Sequence, residues 1–378
     1  MSNTSSKVRP SFSILSLIVF IPLSKLFAWF YEVRKSAIKR LVIFFSSSII
    51  HRTEIINSKK AYMKLLEIED LSVSVLTEGG YVDIISGLSF SIRKGEIYGL
   101  CGESGCGKTV TALSILRLLG SNFHIKGSIF FSGANLLSIP EKEMRQIRGG
   151  EISIVFQEPM TSLNPVLKIG EQIGEMLEVQ LKLKKKEVKD RVIELLKEVG
   201  FEDPERRYHQ YPHQLSGGQR QRVLISMAIA LNPKLIICDE PTTALDVASE
   251  WEILNLLLKL VKQRNMAMIF ITHNLHIVER LCTRVGIMYL GRLIEEQKKD
   301  IFFERPLHPY SQGLLSSALI RGDELKPIKG TVPDLRNIPS GCKFHPRCDY
   351  VMDVCIKEEP KFVKTDNEGY VRCFLYGT

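Results

Sequence analysis

The 378-residue chain lacks several features that mark common protein classes. It has no uninterrupted run of the ~18 apolar residues that a membrane-spanning helix needs, because Pro22 and Lys25 break the apolar stretch from Phe12 to Tyr31. No small-residue cleavage site follows that stretch, which disfavours a secretory signal. Most of the net charge of +9 lies in the first 62 residues, which hold ten Lys or Arg residues and only two Glu. The rest of the chain is nearly neutral, so the sequence does not indicate a nucleic-acid partner.

The first 62 residues differ in composition from everything that follows. They contain two apolar stretches with basic flanks, and three interpretations stay open. The segment is a membrane-anchoring or membrane-lying extension, a disordered extension, or a stretch outside the functional chain. We favour the third interpretation, because a strand pattern begins directly after Met63. The predicted parts are an N-terminal extension over 1–62, a main domain over 63–300 and a C-terminal extension over 301–378.

The segment GESGCGKT, from Gly102 to Thr109, is the strongest motif of the chain. It follows an apolar run that predicts a buried strand and precedes a run that predicts a helix, which is the context of a phosphate-binding loop. The glycines let backbone N–H groups surround a phosphate chain, and the helix N-terminus adds a positive dipole end. Lys108 can reach the β- and γ-phosphates, and the Thr109 hydroxyl can bind Mg²⁺. The residues predicted to contact the nucleotide are Gly102, Glu103, Ser104, Gly105, Cys106, Gly107, Lys108, Thr109 and Val110.

The apolar periodicity changes along the chain and predicts an α/β fold. Alternation from Leu65 to Val75 and a second run from Gly87 to Ile92 predict an antiparallel sheet ahead of the phosphate loop. Gly127 to Phe131 predicts a further short strand. From about residue 158 to 217 the apolar spacing is helical, which predicts a helical subdomain inserted between sheet elements. Beyond residue 300 the chain is Pro-rich and irregular, with one helix predicted near Ser311 to Leu319.

Two later apolar strands end in side chains suited to phosphate chemistry. Asp239 and Glu240 end one of them, and His273 follows the other. Asp239 is placed to hold Mg²⁺ through water, and Glu240 is the candidate general base that polarises the attacking water. For Glu240, a second Mg²⁺ ligand or a structural carboxylate stays open as the alternative. His273 can contact the γ-phosphate.

Residues 216–218, Ser-Gly-Gly, precede an apolar helix and offer a hydroxyl and unhindered N–H groups to an anion. Taken in order, these motifs resemble those of the ATP-binding subunit of an ABC transporter. The resemblance extends from about residue 63 to the C-terminus. The motifs that carry it are GESGCGKT, Gln157, LSGGQRQR from Leu215 to Arg222, LIICDEP from Leu235 to Pro241, Ala244-Leu245-Asp246 and Thr272-His273.

The resemblance implies an ABC-type P-loop ATPase that uses ATP and Mg²⁺. Its α/β fold is expected to have an antiparallel β subdomain, an inserted helical subdomain and a small Cys-rich C-terminal extension. Gln157 is expected to sense Mg²⁺ and the γ-phosphate, with Thr109 and Asp239 as further Mg²⁺ contacts, and Asp246 to communicate across a dimer. A signature segment is expected to close over the γ-phosphate bound by the opposite subunit, so that each chain supplies half of two sites. The residues of this signature segment are Ser216, Gly217, Gly218 and Gln219.

The family also implies an aromatic residue that stacks on adenine upstream of the phosphate loop. Tyr81 is the nearest aromatic candidate in this chain. The expected position falls instead at Leu76 or Gly79, so the sequence leaves this contact open.

Finer motifs resemble those of the dipeptide, oligopeptide and nickel importers. They are Phe156 to Pro165, Asp239 to Val247, Pro306 to Tyr310 and Ile338 to Cys342. This group implies two permease subunits in the membrane and a homologous second ATP-binding subunit, or a second copy of this chain. It also implies an extracytoplasmic substrate-binding protein and a peripheral position at the cytoplasmic face of the membrane. No residue of the chain identifies the transported substrate.

The eight cysteines fall into two sets. Four are scattered through the body of an ATP-using protein, which indicates the reducing cytosol and disfavours a disulfide. The tail cysteines lack the short C-x2–4-C spacing of most structural zinc sites, and long loops between thiolates suit an iron–sulfur cluster. The resemblance implies a [4Fe–4S] cluster, while Zn²⁺ and a metal-free tail stay open. The tail cysteines are Cys342, Cys348, Cys355 and Cys373.

We expect this tail to have a structural or redox-sensing role and to leave nucleotide binding unaffected. His345 lies between two of its cysteines and is expected to be structural rather than a ligand.

Other classes of ABC protein fit the sequence less well. Translation-type members carry two ATP modules, whereas this chain has one GxxxxGK(S/T) pattern. Repair-type members separate their motifs by long coiled coils, whereas Thr109 and Leu215 lie 106 positions apart without a heptad repeat. Exporters commonly fuse a multi-helix membrane domain. The prediction is therefore an importer ATPase, with a soluble ABC ATPase acting on nucleic acid or the ribosome as the alternative.

Overall fold

The computed structural model describes residues 64–157, 162–243, 245–318, 328–365 and 369–377. The three interpretations of residues 1–62 therefore lie outside the described residues, as do the motif residues 158–161 and Ala244. Within the described ranges, no helix is both long and apolar enough to cross a membrane.

Twelve strands form two sheets within the described part of the chain. They are β1 (Lys64–Thr77), β2 (Gly80–Arg93), β3 (Ile97–Cys101), β4 (Phe123–Phe131), β5 (Ala134–Asn135), β6 (Ile152–Val155), β7 (Leu235–Asp239), β8 (Ala267–Thr272), β9 (Arg284–Tyr289), β10 (Arg292–Lys298), β11 (Val363–Lys364) and β12 (Tyr370–Val371).

The helices lie between and after these strands. They are α1 (Lys108–Ile115), α2 (Glu141–Ile147), α3 (Ile169–Leu181), α4 (Lys185–Glu198), α5 (Pro204–Tyr208), α6 (Gly217–Ile229), α7 (Val247–Arg264), α8 (Leu275–Leu281), α9 (Lys299–Glu304), α10 (Pro309–Ala318) and α11 (Asp353–Lys357). Short 3₁₀ turns are Pro212–Gln214, His345–Arg347 and Phe374–Tyr376.

The main sheet has the order β11-β12-β10-β9-β3-β8-β7-β6. Strands β6, β7, β8, β3 and β9 run parallel, and every residue of β3, β7 and β8 is buried. These strands are continuous apolar runs because both faces of the sheet are covered, one by helices that include α6, α7 and α8 and the other by α1 and the antiparallel sheet. Their carboxyl ends meet at one edge, which is where α/β proteins bind ligands. The phosphate loop follows β3 at that edge.

The second sheet is antiparallel, with the order β2-β1-β4-β5. This confirms the antiparallel sheet predicted ahead of the phosphate loop. The strands are longer than predicted, because β2 already pairs with β1 at Gly80 opposite Thr77 and β4 pairs with β1 from Phe123 opposite Val75. Thr77 and Gly80, which the sequence placed in the turn, therefore pair with each other at the end of the β1–β2 ladder. The sequence pattern alone did not reveal that the strands extend this far.

Helices α3, α4 and α5 form the segment that interrupts the sheet between β6 and β7. On α4, the apolar side chains at helical spacing face inward and are buried, whereas the intervening Lys and Glu residues are mostly exposed. Their partners are the buried apolar side chains of α3 and α6. A helix with one apolar stripe is stabilised by such packing rather than by its propensity alone.

The tail is more ordered than its composition indicated. Strand β12 pairs with β10 and β11 pairs with β12, both antiparallel, so the tail adds two short strands to the main sheet. The prediction of an irregular tail with one helix was therefore wrong in part. The helix itself is present and begins at Pro309, two residues before the predicted start.

Candidate functional site

The phosphate loop joins the buried strand β3 to helix α1. Gly102 has φ 153° and Gly107 has φ 104°, both in the region that favours glycine. A Cβ atom at Gly102 would overlap the Met288 carbonyl oxygen, so only glycine fits there. Lys108 is the first residue of α1 and is 6% exposed. Its Nζ donates to the carbonyl oxygens of Gly102 at 2.8 Å and Glu103 at 3.1 Å.

The pair predicted to hold Mg²⁺ lies beside this loop. Asp239 ends β7 with 3% of its surface exposed, and its carboxylate accepts a hydrogen bond from the Thr109 side chain. Burial raises the pKa of Asp239, while the Thr109 hydrogen bond and the charge of Lys108 act in the opposite direction. A hydroxyl and a buried carboxylate are oxygen donors of the kind that Mg²⁺ uses in nucleotide sites. This donor set fits a magnesium ion.

Three predicted catalytic side chains come from three different strand ends. Glu240 directly follows β7, and its Oε1 lies 3.0 Å from Nδ1 of His273, which directly follows β8. Its Oε2 accepts a hydrogen bond from Gln157 Nε2 at 3.3 Å, and Gln157 lies two residues after β6. The structure therefore brings Glu240, His273 and Gln157 together.

A fourth side chain, Thr243, joins this group and was not predicted. Its Oγ1 donates to Glu240 Oε2 at 3.1 Å. Glu240 itself has φ 45°, an uncommon value for a residue with a side chain. Thr243 lies within the Asp239 to Val247 motif, but nothing in that motif singled it out as a partner of Glu240.

The signature segment begins helix α6 in a capping box. Ser216 is the N-cap, the Gln219 N–H donates to Ser216 Oγ at 3.3 Å, and the Ser216 N–H donates to Gln219 Oε1 at 3.1 Å. Gly217 and Gly218 form the first turn. The cavity at this end of α6 is lined by the helical segment and by α7, and by none of the residues 102–110. The structure does not bring the signature segment to the phosphate loop of its own chain.

Asp246 is the N-cap of α7 and lies next to the signature segment. Its carboxylate accepts hydrogen bonds from the Ser249 N–H at 3.0 Å and from Ser249 Oγ at 2.7 Å. These hydrogen bonds lower the pKa of Asp246. A Cβ atom on Gly218 would lie 3.5 Å from Ser249 Oγ. The two helix N-termini therefore stand side by side.

The adenine-stacking candidates lie at one end of the antiparallel sheet. Tyr81 is 66% exposed and pairs with Leu76 across the β1–β2 ladder. The same β2 strand passes the phosphate loop, since a Cβ atom on Gly107 would lie 3.3 Å from the Ile84 carbonyl oxygen. Two of the three candidate positions are thus cross-strand neighbours, and Gly79 lies in the turn between them.

The four tail cysteines line one small cavity, together with His308, Phe344 and other side chains. Their thiols are free, and the Cys342 N–H donates to the Cys355 carbonyl oxygen at 2.8 Å. Burial raises the pKa of both Cys342 and Cys373 to about 11. Among the residues that the structure describes, no group of three or more His, Cys, Asp or Glu side chains is arranged to hold a metal ion. His345 Nδ1 contacts the Cys342 carbonyl oxygen at 2.9 Å, which fits a structural role.

Two family profiles match the chain. The ABC transporter profile matches residues 85–243, and the oligopeptide/dipeptide transporter C-terminal region profile matches residues 294–355. The first match contains the phosphate loop, Gln157, Glu240 and Thr243 but not His273, and the second contains three of the four tail cysteines.

Full-length relatives agree with these matches. The chain is 45% identical over 318 residues to the oligopeptide transport ATP-binding protein OppD of Bacillus subtilis, covering 82% of this chain and 89% of that protein. It is 44% identical over 318 residues to the dipeptide transport ATP-binding protein DppD of Bacillus subtilis, covering 82% and 95%.

A solved dimer of the ATP-binding cassette MJ0796, bound to ADP and Pi in a post-hydrolysis state, has a similar fold. It is 27% identical, with a TM-score of 0.56, and the match covers 62% of this chain and 98% of that one. The fold, the motifs and these matches agree, and the chain belongs to the ABC transporter family, among the ATP-binding subunits of the oligopeptide and dipeptide group.

Proposed function

We propose that this chain hydrolyses ATP to power the import of oligopeptides or dipeptides through an ABC permease. The observation that carries the proposal is the contact of Glu240 with Gln157 and His273 at the sheet edge that also bears the phosphate loop. A nickel substrate is the alternative within the same group, because nothing in this subunit is expected to touch the cargo.

The chemistry follows from the positions of the side chains. Lys108 and the loop N–H groups bind the phosphate chain, and Glu240 accepts the proton of the attacking water as general base. His273 and Gln157 hold the Glu240 carboxylate through one oxygen each. Bound at Thr109, Asp239 and Gln157, Mg²⁺ would neutralise charge on the β- and γ-phosphates.

Each ATP site is completed by a second subunit. The cavity at the N-terminus of α6, which Ser216 lines, is lined by none of the phosphate-loop residues of its own chain. The N-terminus of α6 is therefore available to a γ-phosphate held by a partner. Helix N-termini bind anions through free N–H groups and the helix dipole. The partner is a homologous ATP-binding subunit or a second copy of this chain, and Asp246 lies where it can sense the contact.

A groove beside Gln157 suits the permease partner. It is lined mainly by apolar side chains, including Leu118, Phe156, Met176 and Met227. Phe156 and Leu118 are among the exposed large apolar residues, and such groups mark interaction surfaces when they cluster. Docking of two permease subunits here would place the chain at the cytoplasmic face of the membrane, with a substrate-binding protein on the other side.

For the tail, we propose a [4Fe–4S] cluster held by Cys342, Cys348, Cys355 and Cys373. Four thiols around one cavity support the proposal, since Cys₄ thiolate ligation is the common arrangement for such clusters. Bound there, the cluster would tie the loops of the extension together and could store an electron. Zn²⁺ is the alternative ligand for the same thiols.

Reconstitution tests the function. The chain is combined with its permease subunits and partner ATPase in vesicles, and ATP hydrolysis and peptide accumulation are measured with and without the binding protein. We expect peptide-loaded binding protein to stimulate both. Accumulation of nickel but not of peptide would show that nickel, the alternative substrate, is the cargo. Stimulation of hydrolysis by RNA or DNA in place of the permease would reject the import function.

A further inference from the structure

The tail contacts the phosphate loop directly, across 244 positions of sequence. The Arg347 guanidinium donates two hydrogen bonds to the Glu103 carboxylate, Nη1 to Oε2 at 2.8 Å and Nη2 to Oε1 at 3.2 Å. Paired bonds of this kind fix orientation as well as distance. Glu103 is the second residue of the phosphate loop, so a side chain of the extension holds the loop itself.

Arg347 is itself firmly placed. It is 6% exposed, its Nε donates to the Lys329 carbonyl oxygen at 2.9 Å, and its Nη1 also reaches the Tyr289 hydroxyl at 3.4 Å. A buried guanidinium needs such partners, because an unpaired buried charge is strongly destabilising. Arg347 also ends the short turn that precedes Cys348.

A second tail residue holds the backbone of the same loop position. The Glu103 N–H donates to the Tyr310 hydroxyl at 3.0 Å. Tyr310 is fully buried, and its ring packs on Tyr289 at 4.7 Å and on Phe344 at 5.4 Å between centroids. The carbonyl oxygen of the same peptide group, that of Gly102, accepts from Lys108 Nζ at 2.8 Å. The tail therefore determines the position of a peptide group that Lys108 also uses.

Tyr310 is anchored in turn to the main sheet. Its N–H donates to His308 Nδ1 at 3.0 Å. The N–H groups of Leu307 and His308 both donate to the buried Glu295 carboxylate on β10, each at 2.8 Å. A continuous path of hydrogen bonds thus runs from β10 through the Pro306 to Tyr310 motif to the phosphate loop.

From these contacts we infer that the C-terminal extension is part of the nucleotide site, with Arg347 as a positioning residue that acts through Glu103. Two physical effects follow. The paired bonds and the Tyr310 hydroxyl hold the loop backbone in place at Glu103. The positive charge of Arg347 also offsets the Glu103 carboxylate, which would otherwise stand uncompensated beside an anionic phosphate chain. The inference needs only that the loop binds ATP, and so it goes beyond peptide import.

Equilibrium binding of Mg·ATP to the full chain tests the inference. Arg347→Ala is expected to weaken binding about tenfold, or about 1.4 kcal/mol. Arg347→Lys keeps the charge but not the paired geometry, so we expect a smaller loss. Arg336→Ala is the matched control, because Arg336 lies in the same extension, pairs with Asp334 two residues away and has a side chain that is 77% exposed. It should bind ATP as the parent does.

A double-mutant cycle separates positioning from a general loss of structure. If Arg347 acts through Glu103, Arg347→Ala combined with Glu103→Gln should bind ATP no more weakly than Arg347→Ala alone. Hydrogen exchange of the loop amides should also be faster in Arg347→Ala and in Tyr310→Phe, which loses only the hydroxyl. Thermal unfolding of each variant shows which proteins are folded.

Each outcome decides the question. Parent-like ATP binding by folded Arg347→Ala, or fold-changes that multiply in the double variant, would overturn the inference. Should Arg347→Ala fail to fold, Glu103→Gln in the loop and Tyr310→Phe in the tail decide the question, because both variants leave the arginine in place. Unchanged loop exchange and binding in those two would equally reject it. Failure of the parent chain to bind ATP would instead contradict the assignment of the phosphate loop.

Discussion

The Glu240 carboxylate and the His273 imidazole meet at the edge of the main sheet, with Oε1 3.0 Å from Nδ1. The two residues are 33 positions apart, and each directly follows a buried parallel strand. Gln157 holds the second carboxylate oxygen. The carboxylate, which follows β7, is thus oriented by groups that follow two other strands, β8 and β6, which is the preorganisation that a general base needs.

Glu240→Gln tests this role. The amide keeps the shape of the side chain but cannot take a proton, so ATP turnover is expected to fall by ~10²-fold or more. Binding of ATP and Mg²⁺ should be retained, and a closed dimer should accumulate because bound ATP holds the interface. Phosphate release by the assembled transporter and ATP binding by the isolated chain are the measurements.

The control for that experiment is Glu194→Gln, which removes a carboxylate from the helical segment, where Glu194 pairs with Arg191. It should hydrolyse ATP at the parent rate. Turnover of Glu240→Gln near that of the parent, measured with the permease present, would mean that another group activates the water.

Ser216→Arg tests whether the signature segment serves a partner's site. The bulky side chain should block dimer closure and hydrolysis while the isolated chain still binds ATP, because the defect lies at the other subunit's γ-phosphate. Ser216→Ala is the matched control: it loses the same N-cap hydrogen bond, at a cost of about 1 kcal/mol, but adds no bulk. Loss of ATP binding by the isolated arginine variant would show that the segment acts within its own chain.

Local sequence patterns predicted most of the candidate site residues at the carboxyl edge of the main sheet. Asp239, Glu240 and His273 could be placed from sequence because the carboxyl ends of parallel strands meet at one edge, whatever the order of the strands. The helical segment and the antiparallel sheet were likewise visible as changes of period.

Contacts between distant segments could not be predicted in this way. Nothing near Arg347 in the sequence indicates that it reaches Glu103, and nothing near Glu295 indicates that it holds the N–H group of His308. The pairing of β12 with β10 also depends on a turn that returns the chain to the sheet. Such contacts are set by tertiary packing, which periodicity does not encode.

A chain beginning at Met63 tests the interpretation of residues 1–62. Met63–Thr378 forms one compact unit and contains every predicted ATP-site residue. We therefore expect the shortened chain to fold cooperatively and to bind ATP with the affinity of the full chain. Thermal unfolding and ATP titration of both chains are the measurements. If the shortened chain is insoluble or inactive while the full chain works, residues 1–62 belong to the functional protein.

The tail cysteines yield the last prediction. The extension is rich in Pro and charge and buries apolar side chains such as Tyr310 and Phe344, and a cross-link of its remaining loops would stabilise it further. If the cross-link is a [4Fe–4S] cluster, protein purified without oxygen should be brown, with broad absorbance near ~400 nm and about four irons per chain. Colourless protein with stoichiometric zinc would favour the alternative, and protein with neither metal would reject both.

Cys348→Ser extends this test to the loop contact. The variant should lose its colour and iron, whereas Cys282→Ala, at a buried cysteine of the main domain, should keep both. From the sequence alone we expected ATP binding to survive the loss of Cys348. Because Arg347 is its neighbour and holds Glu103, we now expect ATP affinity to fall towards that of Arg347→Ala. Bleached protein with unchanged ATP affinity would mean that the arginine keeps its position without the cluster, and that the two features of the tail are independent.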